Sequence, residues 1–432
     1  MDEASEAILS SGSEYSTARL HVPRVSRSSE MLRVLTKRKK TFGSVWIPST
    51  PLPHMVQLDA LRAFAVLAVL VSHFSPLTSK FYTFTRLIEL GGLGVRLFFV
   101  LSGFLITGIL LRSKSYCEKD GLSVLHAFRQ FYARRVLRIF PLFYLVLGLA
   151  AVLNIPPVRR TFAWHAAFLT NFYIVLHGFN HLTSHFWSLA VEEQFYLAWP
   201  WVILLVSRRR LYAAILVTIA VGPVFRLFFG LGTGSYATSM FPLSCLDTLG
   251  VGALLALRKD QIAGPQSREY PFGKAGLLLG FAALGAFILL GALHQGRMIG
   301  YAIFDVGAAL LAGWVVLRAS IGFRGPIGKL LEIKPLIYLG TISYGIYVYH
   351  NFIPYVMYKI LGLPSIVDVI ALPYAWPLDS LLKGGITVFV AALSWHFFER
   401  PINNLKRYFK YQGDRSPKRV PVSIEPSTVR PL

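Results

Sequence analysis

The chain has 432 residues, of which 54% are hydrophobic and only 15% are charged, and its mean hydropathy is +0.53. A soluble domain of this length does not need so much apolar sequence for its core, so the composition excludes an ordinary soluble protein and indicates a membrane protein with many spans. Lys and Arg number 44 against 21 Asp and Glu, and because cytoplasmic loops of membrane proteins collect basic residues, this excess indicates a positive-inside bias rather than binding to nucleic acid.

Residues 1–53 are polar, Ser-rich and basic, as in the stretch SRSSEMLRVLTKRKK. They contain no apolar run that could act as a cleavable signal, so we expect a flexible, basic cytoplasmic tail. The two cysteines, Cys117 and Cys245, lie far apart without His or Cys neighbours at ligand spacing. The sequence therefore predicts neither a disulfide framework nor a metal site.

Apolar runs of spanning length follow this tail, and lipid requires them to be helices because it leaves no backbone polar group unpaired. We therefore predict an all-α fold, a polytopic membrane helix bundle of about ten transmembrane helices. The predicted spans are Leu58–Pro76, Gly92–Leu111, Ile139–Leu153, Phe186–Val206, Leu211–Gly230, Ala237–Leu257, Gly276–Leu293, Tyr301–Leu317, Leu336–Tyr358 and Gly384–Phe398.

One further apolar run, Phe162–Leu176, is short and interrupted by polar residues. If it crossed the membrane, the basic cluster SRRR ending at Arg210 would lie outside, against the positive-inside rule. We therefore predict that this run is a re-entrant or surface helix and that both termini are cytoplasmic. Residues 54–401 then form the membrane domain, and residues 402–432 form a basic cytoplasmic C-terminal tail.

The first span carries two ionisable residues, Arg62 toward its predicted cytoplasmic end and His73 toward its outer end. A helix places them about 16 Å apart on one face. Ionisable groups inside a span are costly and commonly mark a functional site. The alternative is that Arg62 snorkels to the inner headgroups and His73 lies at the outer interface.

A basic segment, FRQFYARRVLRIFP, follows the second span and puts Arg135 and Arg138 on one helix face with Arg134 beside them. Forked guanidinium groups suit a phosphate-rich ligand that approaches from the cytoplasm. The alternative is an ordinary basic anchor at the membrane surface.

The fourth predicted span begins with HFWSLAVEEQFYLAWPW, which holds Glu192 and Glu193 near the predicted outer side. A carboxylate there needs a partner, and His73 is predicted at the same depth. We therefore expect a glutamate beside His73, an arrangement suited to removing a proton from a hydroxyl. The alternative is that one or both glutamates face the outer water.

Four weaker candidates lie in other spans. Ser102 lies among small residues, a pattern more typical of helix packing than of a nucleophile. Tyr344, Tyr347 and His350 lie in TISYGIYVYHNF, where they either line a cavity or belong to an aromatic belt.

Together these segments resemble the acyltransferase type 3 family of integral membrane proteins. The matching pieces are Arg62 with ten residues before His73, then GVRLFFVLSGFLI, RVLR, FWSLAVEEQFY, SYGIYVYH and FERPI, which run in family order from about His54 to Pro401. The resemblance implies an enzyme that moves an acyl group, commonly acetyl, from cytoplasmic acyl-coenzyme A to a hydroxyl of a sugar, glycan or lipid-linked acceptor.

The resemblance also implies that Arg62 and His73 are functional and that Arg135 and Arg138 contribute to donor binding. Acyl-coenzyme A is then a co-substrate, and no cofactor is expected to stay bound. We expect a multi-pass protein of the bacterial inner (plasma) membrane that works with the lipid bilayer and without nucleic acid.

On this basis we expect His73, oriented by a glutamate, to deprotonate the acceptor and Arg62 to stabilise the donor or the developing negative charge. Direct transfer is favoured over an acyl-enzyme on Ser102 because the sequence shows no base beside Ser102. A glycan or lipid transporter or flippase is the alternative function, although it would more typically show two related halves. A third possible function is that of a membrane scaffold or sensor that catalyses no reaction.

Overall fold

A computed structural model describes residues 55–75, 79–179, 182–230, 239–262, 271–293, 297–370 and 375–411. Across these ranges the chain is helical and has no β-strand, which confirms the prediction of an all-α fold. The predicted N-terminal tail and residues 412–432 of the predicted C-terminal tail lie outside the described residues.

The helices are numbered in chain order. They are α1 (Val56–Phe74), α2 (Lys80–Leu87), α3 (Leu90–Lys119), α4 (Val124–Val152), α5 (Pro156–Ala166), α6 (Thr170–His177), α7 (Phe186–Leu205), α8 (Arg208–Phe225), α9 (Leu246–Ile262), α10 (Pro271–Ala292), α11 (Arg297–Ile321), α12 (Gly325–Leu331), α13 (Lys334–Thr341), α14 (Ser343–Tyr349), α15 (Phe352–Tyr355), α16 (Ile366–Ile370), α17 (Trp376–Ser394) and α18 (Arg400–Asn404). Turns of π-helix extend α8, α15 and α17 over Arg226–Gly230, Val356–Ile360 and Trp395–Glu399.

Seven helical segments of the described chain are long and apolar enough to cross a membrane. They are Val56–Phe74, Lys80–Lys119, Val124–Val152, Arg208–Phe229, Lys274–Ala292, Ile299–Ile321 and Trp376–Tyr408. Each overlaps one of the predicted spans, so the chain is a multi-pass membrane protein. The predicted count of about ten is not confirmed.

The other three predicted spans are helical over part of their length, but each differs from a plain apolar span. Helix α7 carries Glu192, Glu193 and Gln194 in its first half, which lowers its hydropathy. Helix α9 has only 17 residues. The predicted span Leu336–Tyr358 breaks into the short helices α13, α14 and α15. Polar residues and breaks of this kind commonly mark functional sites inside a membrane domain.

The short run Phe162–Leu176 falls on α5 and α6, which have 11 and 8 residues. Helices of this length are too short to cross a bilayer at about 1.5 Å per residue, in agreement with the prediction for this run. The buried His165 links them, because its two ring nitrogens lie 2.7 Å from the hydroxyls of Thr161 and Thr170. Burial lowers the pKa of His165 to about 4, so this link is made by a neutral imidazole.

Helix α3 lies at the centre of the fold and packs against α1, α7, α9 and α11. Its closest neighbour is α9, since a Cβ added to Gly103 would overlap the carbonyl of Leu249 and one added to Gly252 would overlap the carbonyl of Val100. Only glycine permits so close a backbone approach. The small residues of this span therefore act in helix packing.

A buried set of four charged residues joins α3, α8, α9 and α11. The Nε of Arg96 donates to Asp305 at 2.8 Å, and Arg226, in the π turn after α8, pairs with Asp247 of α9. The Nε of Arg226 also lies 3.5 Å from Asp305. Each of the four residues is at most 4% exposed. Two positive and two negative charges balance, as burial in a membrane domain requires.

Candidate active site

A cavity of about 840 Å³, including its open mouth, lies where α1, α3, α4, α7 and α14 converge. Three of its lining residues are arginines and one is a glutamate, so the charged side chains of its wall carry a net positive charge. The lining residues are Arg62, Val95, Phe98, Phe99, Ser102, Leu105, Ile106, Arg135, Arg138, Ile139, Ser188, Leu189, Glu192, Tyr196, Ser343, Tyr344 and Tyr347.

A hydrogen-bonded group of Ser102, Glu192 and Tyr196 forms one wall of this cavity. The hydroxyl of Ser102 donates to Glu192 Oε1 at 2.8 Å. The hydroxyl of Tyr196 lies 2.9 Å from Ser102 Oγ and 3.1 Å from Glu192 Oε2, so its one proton can serve either oxygen. The expectation that Ser102 has no base beside it is therefore wrong, because a carboxylate from α7 reaches it across the helix interface.

The rotation of α7 explains why Glu192 faces the cavity. Two residues later, Gln194 points toward α6, where it exchanges two hydrogen bonds of 3.1 Å with Asn171 and donates to the carbonyl of Phe168 at 2.7 Å. Side chains two positions apart in a helix point in nearly opposite directions. Glu193 lies outside the cavity lining, and its buried Oε1 has no hydrogen-bond partner among the described residues.

The predicted donor-binding arginines separate into two groups. Arg135 and Arg138 line the cavity on one face of α4, as their spacing predicts, and Arg62 of α1 joins them. The guanidinium of Arg135 lies 5.2 Å from the centre of the Tyr196 ring, and that of Arg138 lies 5.1 Å from the centre of the Trp395 ring.

Two of the three cavity arginines, Arg138 and Arg62, also have a local anchor. Arg138 donates to the carbonyl of Thr341 at 3.3 Å, and Arg62 pairs with Asp59 one turn earlier on α1. Arg134 lies outside the cavity lining and donates to the carbonyl of Phe409 at 2.9 Å. Arg134 therefore anchors the end of the described chain rather than lining the cavity.

His73 lies at the end of α1, where it meets the residue that follows α14. Its Nδ1 is 2.8 Å from Nε2 of His350 and 3.2 Å from Oδ1 of Asn351. The Nδ1 of His350 lies 2.6 Å from the carbonyl of Tyr347, which can only accept a hydrogen bond. These contacts assign the proton of a neutral His350 to Nδ1, so its Nε2 accepts from His73 Nδ1 and leaves His73 Nε2 as the unprotonated nitrogen.

The predicted pairing of His73 with a glutamate is wrong. His73 contacts His350 and Asn351, whereas Glu192 contacts Ser102 and Tyr196. Glu192 lines the same cavity as Arg62, which lies about 16 Å along α1 from His73. The glutamate is therefore deeper in the bundle than the sequence suggests, and an imidazole occupies the place expected for it.

The three remaining candidates take different positions. Tyr344 lines the cavity and donates to the carbonyl of Ile139 at 2.7 Å, whereas His350 is fully buried outside the lining. Tyr347 connects the two regions, because its ring lines the cavity while its carbonyl accepts from His350. Its hydroxyl lies 2.6 Å from Ser188 Oγ and donates to the carbonyl of His185.

Sequence reasoning missed several of these residues, among them Tyr196 and Asn351. One signal was present for Tyr196, which follows Glu192 by four positions and so shares its helix face. No comparable local signal connects Asn351 with His73, since these residues are 278 positions apart.

The chain is similar to a known protein family and to several curated proteins. Residues 55–396 match a family model described as an acyltransferase domain, Acyl_transf_3. Among curated proteins, YrhL of Bacillus subtilis (strain 168), whose name gives a provisional assignment as a peptidoglycan O-acetyltransferase, is 30% identical over 80% of this chain and 54% of its own length. No solved structure matches the chain with significant similarity.

Two further relatives have related names. The peptidoglycan O-acetyltransferase OatA of Listeria monocytogenes is 27% identical over 88% of this chain and 60% of its own length. The O-acetyltransferase OatA of Staphylococcus aureus (strain NCTC 8325 / PS 47) is 27% identical over 82% of this chain and 57% of its own length. The chain thus spans between half and two thirds of the length of the curated relatives it matches.

Proposed function

Because one family model covers most of its length, the chain belongs to the acyltransferase type 3 family, and we propose that it transfers an acetyl group from acetyl-coenzyme A to a hydroxyl of a bacterial cell-wall glycan. The names of the relatives support acetyl as the acyl group and peptidoglycan as the acceptor class. The observation that carries the proposal is the cavity in which three arginines face a serine, a glutamate and a tyrosine.

The arginines are proposed to hold the donor. Coenzyme A carries several phosphate charges, and Arg135 and Arg138 present two guanidinium groups from one helix face. The apolar lining beyond them, including Phe98, Phe99 and Leu105, suits the long uncharged arm of the donor. A thioester at the end of this arm would then lie near Ser102 and Glu192.

His73 is proposed to act as the base for the acceptor hydroxyl. Its Nε2 is the unprotonated nitrogen when His350 accepts from Nδ1, as the hydrogen bonds require. A neutral imidazole held in one tautomer can remove a proton from a hydroxyl as it attacks an acyl carbon. His350 is then a positioning residue, and Asn351 adds a second acceptor at His73 Nδ1.

The proposal is tested by measuring how replacement of Arg138 changes the KM for the donor. Replacing Arg138 by Ala should raise the KM for acetyl-coenzyme A about tenfold to a hundredfold, as expected for the loss of about 1.5–3 kcal/mol of charge-assisted hydrogen bonding. The KM for soluble peptidoglycan fragments should change little. Arg129→Ala is the matched control, because Arg129 is exposed on the same helix and lies outside the cavity lining. Equal KM values for donor in both variants would return Arg138 to the role of a basic anchor.

A further inference from the structure

Ser102 is the hydroxyl of the cavity that is best prepared for nucleophilic attack. Its Oγ donates to a carboxylate oxygen of Glu192 at 2.8 Å, and the Tyr196 hydroxyl lies 2.9 Å from the same Oγ. The positions of both partners are fixed by neighbouring contacts. The contact between Gln194 and Asn171 sets the rotation of α7 that turns Glu192 toward the cavity, and the guanidinium of Arg135 packs over the ring of Tyr196. This arrangement, in which a nucleophile lies beside a base and a further hydrogen-bonding group, activates a hydroxyl for acyl transfer.

We propose that Ser102 carries the acyl group as a covalent ester between the two substrates, with Glu192 as its base and Tyr196 as a hydrogen-bond donor to its Oγ. This inference rests on the proposed function and extends it from an overall reaction to a two-step route. It replaces the expectation of direct transfer, which depended on the absence of a base beside Ser102.

In the first step, Ser102 Oγ attacks the thioester carbonyl carbon as its proton passes to Glu192. The new bond joins Oγ to the acyl carbon, and the carbon–sulfur bond of the tetrahedral intermediate then breaks. The departing sulfur takes the proton from Glu192, so free coenzyme A leaves and Glu192 is again a carboxylate. The positive lining of the cavity stabilises the negative charge that develops on the carbonyl oxygen.

In the second step, the acceptor hydroxyl attacks the ester carbon and passes its proton to His73, the base proposed for the acceptor. The bond from the acyl carbon to Oγ breaks, and Ser102 takes a proton from the Tyr196 hydroxyl, which is in hydrogen-bond contact with its Oγ. His73 then releases its proton to solvent and Tyr196 regains one from solvent, so every group returns to its starting state. A covalent intermediate explains how one site can serve two large substrates, since coenzyme A can leave the cavity before the acceptor arrives. Direct transfer would require both to occupy it together.

Isotope exchange tests the first step without any acceptor. The purified full chain in nanodiscs is incubated with acetyl-coenzyme A and tritiated coenzyme A, and the label in acetyl-coenzyme A is followed. An acyl-enzyme predicts exchange, because free coenzyme A can attack the ester and reform the labelled thioester. Ser102→Ala should lose this exchange, and Glu192→Gln should slow it by about a hundredfold to ten-thousandfold.

Ser113→Ala is the matched control for the serine substitution. Ser113 is buried on the same helix, donates to the carbonyl of Ile109 at 3.1 Å and lies outside the cavity lining. Its replacement should leave exchange unchanged. Since Ser102→Ala could fail to fold, the wild-type protein is also quenched in acid after incubation with acetyl-coenzyme A, digested and analysed by mass spectrometry. An acetyl group on the peptide that contains Ser102 is the expected result.

Three outcomes would overturn the inference. Transfer to peptidoglycan fragments without any exchange would indicate direct transfer and leave the proposed function intact. Exchange with the acetyl group trapped on another residue would remove Ser102 from the role of carrier. A folded wild-type protein that shows neither exchange nor transfer would overturn the proposed function itself.

Discussion

Glu192 and Glu193 are neighbours in sequence, but the structure predicts a large loss of activity when Glu192 is replaced by Gln and little change when Glu193 is. Glu192 lines the cavity and accepts hydrogen bonds from Ser102 and Tyr196. Glu193 lies outside the lining, and its Oε1 has no partner among the described residues. The exchange of Glu for Gln keeps the size and shape of the side chain, removes its negative charge and its ability to take a proton, and replaces one acceptor oxygen by an NH2 donor.

The expected magnitude follows from these contacts. In the Glu192→Gln variant the amide oxygen can still accept from Ser102, so the structural loss is limited to about one charge-assisted hydrogen bond, or about 1.5–3 kcal/mol. The catalytic loss is larger, because an amide cannot act as a base. We expect kcat to fall about a hundredfold to ten-thousandfold, equivalent to about 2.7–5.5 kcal/mol in the activation barrier.

The assay is acetylation of soluble peptidoglycan fragments by the purified variants in nanodiscs, with acetyl-coenzyme A as donor. Glu193→Gln should keep a kcat close to that of the wild type, and its thermal stability should not fall, because the substitution removes a charge whose buried Oε1 has no hydrogen-bond partner among the described residues. The reasoning is refuted if Glu193→Gln abolishes turnover while Glu192→Gln, with folding verified, retains it.

Three further predictions concern other parts of the molecule. Replacing His350 by Ala should lower kcat, but by less than replacing His73 by Ala does. His350→Gln should have a higher kcat than His350→Ala, because an amide oxygen can accept a hydrogen bond from His73 Nδ1. Equal kcat values for His350→Ala and His350→Gln would remove His350 from a positioning role. Asp305→Leu should lower the thermal midpoint in detergent more than the double change Arg96→Met with Asp305→Leu, since breaking a buried pair costs about 3–5 kcal/mol whereas removing both charges costs much less; equal losses would contradict this. A single cysteine at Ser207 should resist labelling from outside intact cells, and clear labelling there would overturn the predicted topology.

Some features of the site follow from local sequence patterns. Apolar runs predict the helices because a bilayer requires paired backbone groups, and seven of the predicted spans match helices of spanning length. The spacing of Arg135 and Arg138 predicts their shared face on α4, and both line the cavity. In each case the property is set by residues a few positions apart.

The partners of His73 and Glu192 could not be predicted in the same way. Rise per residue gives the depth of a side chain along its own helix, but not the rotation of that helix or the neighbour it faces. Glu192 meets Ser102 because Gln194 orients α7 toward α6, a contact between distant segments. His73 meets His350 because the end of α1 packs against the C-terminal end of α14, a contact between distant segments.

The break in the predicted span Leu336–Tyr358 had a local signal that the prediction did not use. Pro354 has no N–H to donate to the carbonyl of His350, four positions earlier, and its ring crowds that carbonyl, so a helix through SYGIYVYHNFIPY is expected to be interrupted near His350. The structure ends α14 at Tyr349 and places His350 immediately beyond it, where the side chain is fully buried against His73. Pro354 therefore accounts for the place of this end, and packing against His73 accounts for the burial of the His350 side chain.

The most direct test of the proposed function is acetyl transfer by the purified chain in nanodiscs, from labelled acetyl-coenzyme A to soluble peptidoglycan fragments, with wild type and His73→Ala compared. We predict that the wild type transfers the label and that His73→Ala is slower by about a hundredfold to ten-thousandfold while it still binds acetyl-coenzyme A. No transfer by the folded wild type, or near-normal transfer by a folded His73→Ala variant, would contradict the assignment of this site to acyl transfer through His73.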